Sequence, residues 1–230
     1  MYNLPQKLLA EVFGTFTLTF AGAGAICTDQ YLHALGQHGS GIVGIALGYG
    51  LAVAIGVAAV GHISGGHFNP AVTIGFWVTK KISTLDAILY WIAQLLGATL
   101  AAYFLSLCIP ESIWRGVQLG APSLADGFSR THGILLEAVA TFLLVFVFFA
   151  TAVDPNGGFH KISGFAIGLT VTIDVLVAGP FTGAAMNPAR AFGPALAGHY
   201  WANQGVYWVG PLIGGVLAGW IYNSFLLKDA

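Results

Sequence analysis

The chain has 230 residues, 57% of them hydrophobic and 7% charged, against roughly 25% charged in a soluble domain. With a mean hydropathy of +0.79, it carries more apolar surface than a soluble globule can hide. A net charge of −1 leaves no basic face for nucleic acid; the two cysteines, Cys27 and Cys108, lie in apolar stretches and argue against a disulfide framework.

Taken in order, the first apolar span covers about 5–27. Its one flanking charge is Lys7, and it is too long and uniform for a cleaved signal peptide. A second span, about 41–60, leads into a Gly-rich stretch, residues 61–68, and then Asn69-Pro70-Ala71. Asn is a good N-cap and Pro is tolerated at the first helical position, so the triplet predicts a helix start. A helix from there to Thr79 rises ~16 Å, about half of the ~30 Å hydrocarbon core. The third span is about 84–109. A polar connection, 110–130, carries Glu111, Arg115, Pro122 and Asp126. The fourth and fifth spans are about 131–153 and 162–178. A second Gly-rich stretch, 179–186, precedes Asn187-Pro188-Ala189, and the sixth span is about 205–227. Most spans are near the ~20 residues that a membrane crossing needs.

The two halves repeat. The segment Ala10-Glu11-Val12-Phe13-Gly14-Thr15-Phe16 matches Leu136-Glu137-Ala138-Val139-Ala140-Thr141-Phe142, and each half ends with a Gly-rich stretch, an Asn-Pro-Ala and one further span. An odd number of spans per half requires opposite orientations. The expectation is one channel domain over 1–230, with repeats at about 5–109 and 131–227, whose broken helices meet at the midplane. Lys7, Lys80, Lys81, Lys161 and Lys228 then lie on one side and Arg115 and Arg130 on the other. The positive-inside rule puts the five lysines and both termini in the cytoplasm.

Several residues carry chemistry in this frame. Asn69 and Asn187 are expected to aim amide N–H groups into a lumen, beside two helix N-termini whose positive ends repel cations. Arg190, inside an apolar stretch, is expected to face a cavity. Glu11 and Glu137 read as braces for loop N–H groups that lipid cannot satisfy, with a proton relay as the sharper alternative. Carbonyls of Gly65, Gly66 and His67, and of Thr182, Gly183 and Ala184, are expected to form a ladder of acceptors. Val53, Val57 and Val171 are candidates for the opposite wall. His67 either lines the inner half or packs within its loop. Asp174 is expected to bond a neighbouring helix or loop backbone. Gly44 and Gly48, Gly164 and Gly168, and Gly210 and Gly214 are spaced for close helix crossings. No metal ligation is expected: His62 and His67 lack a third partner. Nor is an enzyme, because no catalytic spacing occurs.

The doubled Asn-Pro-Ala, in a chain of this length and hydropathy, resembles the aquaporin (major intrinsic protein) family over about residues 8–226. The stretch from Ala178 to Ala195 and the run Tyr207-Trp208-Val209-Gly210-Pro211-Leu212 look most like the tonoplast-type branch and its prokaryotic relatives. The resemblance implies an all-α membrane protein of six transmembrane helices and two half-helices. It implies a passive channel for water and small uncharged solutes, in a lipid bilayer, with no cofactor. It assigns Arg190 to a narrow selectivity filter, joined by Tyr49, Val175 and Ala184. Ala191 after Arg190 argues against the glycerol branch, and the missing filter histidine against a strict water filter; part of the tonoplast-type branch also passes ammonia. A facilitator mainly for ammonia, hydrogen peroxide or small polyols is the alternative. An ion-coupled transporter is a weaker one, since neither Gly-rich stretch carries a coupling carboxylate. The family also implies a homotetramer with one pore per subunit, here expected in the cell membrane.

Overall fold

The structure, a computed structural model, describes residues 2–157 and 160–227; Lys228 lies outside them. Among the described residues six helices are long and apolar enough to cross a membrane. These are α1 (Leu4–Ala34), α2 (Gly41–Ser64), α4 (Thr84–Cys108), α6 (Arg130–Phe148), α7 (Ser163–Thr182) and α9 (Gln204–Ile221). Two short helices follow the triplets, α3 (Pro70–Val78) and α8 (Pro188–Ala197). At nine and ten residues they rise about 14 and 15 Å, so end to end they match the ~30 Å apolar core.

Several boundaries differ from expectation. Residues 61–64 and 179–182 continue α2 and α7, because each helix stops only where Gly65 (φ 93°) or Gly183 (φ 80°) turns left-handed. Helix α1 begins in a capping box on Asn3 and runs seven residues past Cys27, to Ala34. Helices α6 and α9 each end in a π-helical turn, Phe149–Val153 and Tyr222–Leu226. The 110–130 connection holds a short helix, α5 (Glu111–Trp114), and a kinked 3-10 turn, Arg115–Gly120.

Packing repeats across the two halves. Helix α1 lies on α4 as α6 lies on α9, and α2 lies on α7. Each half-helix leans on the last span of the other half, α3 on α9 and α8 on α4. Glycines set these distances: a Cβ at Gly97 would stand 2.4 Å from the Val12 carbonyl oxygen, and one at Gly214 2.2 Å from that of Ala138. Gly164 and Gly168 face α2 in the same way, and Gly210 faces α6, whereas Gly44 meets only Ser40 of its own chain end. Outside, Leu9, Phe13, Leu47, Ile55, Ile92, Leu96, Leu143 and Ile173 are exposed, as a lipid-facing belt requires.

Candidate functional site

Each half-helix starts at an asparagine in extended conformation. The Asn69 Oδ1 accepts from Ala71 N at 2.8 Å, and the Asn187 Oδ1 from Ala189 N at 2.9 Å and Arg190 N at 3.2 Å. With the oxygens held, the amide nitrogens turn toward the other half. Asn69 Nδ2 donates to the Met186 carbonyl at 2.8 Å, and Asn187 Nδ2 to the Phe68 carbonyl at 2.9 Å. This reciprocal tie was not expected. An amide nitrogen carries two hydrogens, so each asparagine keeps one for the cavity that both line.

Two carboxylates hold the loops. Glu11 accepts from Ser64 Oγ (2.6 Å), His67 N (3.0 Å), Phe68 N (2.7 Å) and Gln94 Nε2 (2.7 Å). Glu137 accepts from Thr182 Oγ1 (2.7 Å), Ala185 N (2.8 Å) and Met186 N (2.6 Å). Both acids are fully buried, where loop N–H groups left without acceptors would be costly. Phe68, Ala184 and Met186 take φ of 49°, 44° and 51°, a left-handed strain that turns consecutive peptides.

Three cavities are termed outer, central and inner after the lysine-based orientation; the outer and central ones share Arg190, and the inner one is also bordered by the exposed Leu51, Ile55 and Phe165. The outer one is lined by residues of the 116–123 stretch, Gly179, Gly183 and Arg190. The central one takes Tyr49, Val53, Val171, both asparagines and Arg190. The inner one takes Val57, Gly61, His62, Gly65 and Lys161. In the central cavity about 30 Å³ is open to the centres of water-sized molecules; one water needs roughly 10–15 Å³. The central cavity therefore has room for about two or three waters.

The backbone along the central cavity is displaced by one or two residues from expectation. Gly66, His67 and Phe68, with Ala184, Ala185 and Met186, line it. Gly65 belongs to the inner cavity and Gly183 to the outer. Thr182 lines none of the three, because α7 extends through it and its hydroxyl bonds Glu137. His67 lines the central cavity, and its ring packs on Phe76 of α3 at 4.2 Å and Tyr90 of α4 at 5.3 Å rather than within its own loop.

Arg190, 1% exposed, joins the central and outer cavities. Its Nη1 donates to the Gly120 carbonyl at 2.9 Å, and its Cζ lies 4.7 Å from the centre of the Tyr49 ring. Nε and Nη2 have no partner among the described residues. Tyr49 and Ala184 stand on the central wall. Val175 does not: it is buried in the apolar cluster with Tyr49, Val171, Ala178 and Ala184, and lines none of the three cavities. The expectation for Asp174 also fails. It is buried, and its Oδ2 has no partner among the described residues; the Thr170 hydroxyl one turn away donates to the Ala166 carbonyl instead.

Gly120 is the residue that sequence reasoning missed. Gln118, Leu119 and Gly120 are all left-handed, with φ of 48°, 54° and 76°. Leu119 plugs a buried cluster of Ala23, Cys27, Ala102, Leu105 and Ala197, which turns the Gly120 carbonyl toward Arg190. An apolar residue directly before a glycine in a polar connection was the available signal. Among the described residues no group of three or more His, Cys, Asp or Glu side chains is placed to hold a metal.

The Major intrinsic protein family model matches residues 2–222. Probable aquaporin TIP3-2 of Arabidopsis thaliana is 45% identical over 97% of this chain and 85% of its own length. Aquaporin TIP4-4 of Zea mays is 46% identical over 97% of this chain and 88% of its own. A solved structure, the X-ray structure of the aquaglyceroporin from Plasmodium falciparum, matches with a TM-score of 0.82 at 26% identity, covering 97% of both chains.

Proposed function

The chain belongs to the major intrinsic protein family and is a multi-pass membrane water channel, and we propose that water crosses it in single file through the three cavities, past Arg190, Asn187 and Asn69. The observation that carries this reading is the reciprocal tie of the two asparagines, 2.8 and 2.9 Å, at the junction of two helix N-termini that line one small cavity. Water both donates and accepts, so it can bond an asparagine N–H, then a turned carbonyl, without leaving the file. A cation at the junction faces two positive helix ends and then the Arg190 guanidinium.

Arg190, Tyr49 and Ala184 form the proposed filter, with Gly120 holding the arginine and Val175 setting the wall from behind. Arg190 borders both the central and the outer cavity, so its guanidinium is the fixed positive charge that a permeant passes. With Arg190 as the one charged donor there and Ala184 and the valines around it apolar, ammonia is proposed as a second permeant. Glu11 and Glu137 act as braces and not as a relay, since all of their bonds are to loop and side-chain donors that hold the fold.

We read 5–109 and 131–227 as inverted repeats of one channel domain, both termini cytoplasmic, assembled as a homotetramer. The tonoplast-type relatives give the expectation of a plasma membrane no support. Stopped-flow light scattering on proteoliposomes tests the function: water flux well above empty liposomes, ammonia flux above background, and no glycerol or urea flux are expected. Water flux no greater than in empty liposomes overturns it.

A further inference from the structure

Thr73 lies on α3, its side chain fully buried, and takes no part in the site described above. Its Oγ1 makes three short contacts: the Asn69 carbonyl at 3.1 Å, Gln94 Nε2 at 3.0 Å and His67 Nδ1 at 3.1 Å. A hydroxyl has one hydrogen and two lone pairs, so its neighbours can be assigned. Gln94 Nε2 also donates to Glu11 Oε2 at 2.7 Å, and every other partner of Glu11 is a donor. Gln94 must therefore present its NH₂ group, and Thr73 accepts from it. The Asn69 carbonyl can only accept, so the Thr73 hydrogen belongs there. The remaining lone pair faces His67. If the hydroxyl hydrogen turned to His67 instead, the 3.1 Å contact with the Asn69 carbonyl would set oxygen against oxygen with no hydrogen between. Only one assignment makes all three contacts attractive.

We infer that Thr73 is a positioning residue that holds His67 as the Nδ1–H tautomer, so that the bare Nε2 lone pair faces the water file as an acceptor on the inner side of the asparagines. The geometry agrees. His67 lines the central cavity, and Nε2 has no partner among the described residues yet is not one of the sealed polar atoms. It lies 3.3 Å from where a Cβ on Gly65 would stand, and Gly65 lines the inner cavity. The rest of the ring is fixed by Phe76, Tyr90 and Phe148, so it cannot turn the other nitrogen outward. The asparagines donate to a water oxygen and leave its hydrogens pointing inward, where Nε2 accepts one. The side chains thus order the file as donor, then acceptor, from the middle toward the inner mouth. The tautomer stands on the hydrogen-bond geometry; its effect on water rests on the channel reading.

Nitrogen-15 solid-state NMR of the histidine-labelled channel in bilayers tests the tautomer, with the His67 signals picked out by difference against His67→Gln. A protonated Nδ1 and an unprotonated Nε2 are expected at neutral pH. Thr73→Val, nearly the same shape, should move the proton to Nε2, and Thr73→Ser should restore the original pattern. In the same preparations Thr73→Val should lower water permeability roughly 2- to 10-fold, the equivalent of one net hydrogen bond, with Thr73→Ser close to the original. A wild-type His67 protonated on Nε2, or on both nitrogens, overturns the assignment, as does a pattern unmoved by Thr73→Val. A moved proton with unchanged permeability overturns the role in the file. If Thr73→Val fails to assemble, the wild-type spectrum alone decides the tautomer. A wild type without water flux defeats the channel reading and leaves the spectrum to judge Thr73.

Discussion

Arg190 is held at one corner, and its Nε and Nη2 have no partner among the described residues. Its tie to Gly120 and its place over the Tyr49 ring orient a buried charge, which a cavity tolerates only if something polar passes it. In Arg190→Ala the positive barrier is lost. Water permeability should stay within about threefold of the original, ~0.6 kcal/mol, while urea, glycerol or cation flux appears in the same liposomes; unchanged rejection by a folded variant removes Arg190 from the filter. Ala184 stands on the central wall, so Ala184→Cys should make the channel sensitive to mercurials. The original protein should resist them, since Cys27 is buried and neither Cys27 nor Cys108 lines the three cavities. Full block of the original would mean that one of these thiols reaches the pore.

At the scale of elements, the turn 118–120 and the two loop braces decide where the pore residues stand. Leu119 anchors a left-handed turn that would be strained alone. Leu119→Ala should destabilise the protein by about 2–5 kcal/mol, the range for a buried leucine truncation, seen as a lower melting temperature in detergent. It should also raise solute leak, because the Gly120 carbonyl no longer holds Arg190. Rejection and stability both unchanged would show that the turn does not position the filter. Glu137→Gln replaces an acceptor that meets N–H donors with an NH₂ group, and a mismatched buried group costs about 1–3 kcal/mol. Lower yield and slower water flux without proton leak are expected. A proton leak, measured with a pH dye inside the liposomes, would favour the relay.

At the scale of the whole molecule, the two halves hold each other. The half-helix of one half packs on the last span of the other, and the asparagines bond across the junction, so neither half carries a complete pore wall. The tolerance is small where glycine sets the distance. A leucine at Gly214 would place Cβ 2.2 Å from the Ala138 carbonyl oxygen, backbone that cannot step aside as a side chain could. Gly214→Leu should therefore cost at least the roughly 1–3 kcal/mol of ordinary overpacking and leave little assembled protein on size-exclusion chromatography. A well-assembled, active Gly214→Leu would show that α6 and α9 can separate without harm to the pore.

The sequence by itself determined whatever rests on local rules. The spans follow from length and apolarity, both helix starts from Asn-Pro, and the loop role of Glu11 and Glu137 from their matching places in the two repeats and from the need of bare N–H groups in lipid. Its errors at the ends of α2 and α7 came from taking the first glycine of each stretch as the stop, when only the glycine that turns left-handed ends a helix. The tertiary structure decided the rest. The asparagine ties join residues 117 and 119 apart, and Arg190 to Gly120 spans 70. Such contacts depend on how helices pack against one another, as do the burial of Val175 in the apolar cluster and the lack of a partner for Asp174 Oδ2 among the described residues. Periodicity gives a side chain its face on a helix; only the packing of the neighbouring helices says what that face meets.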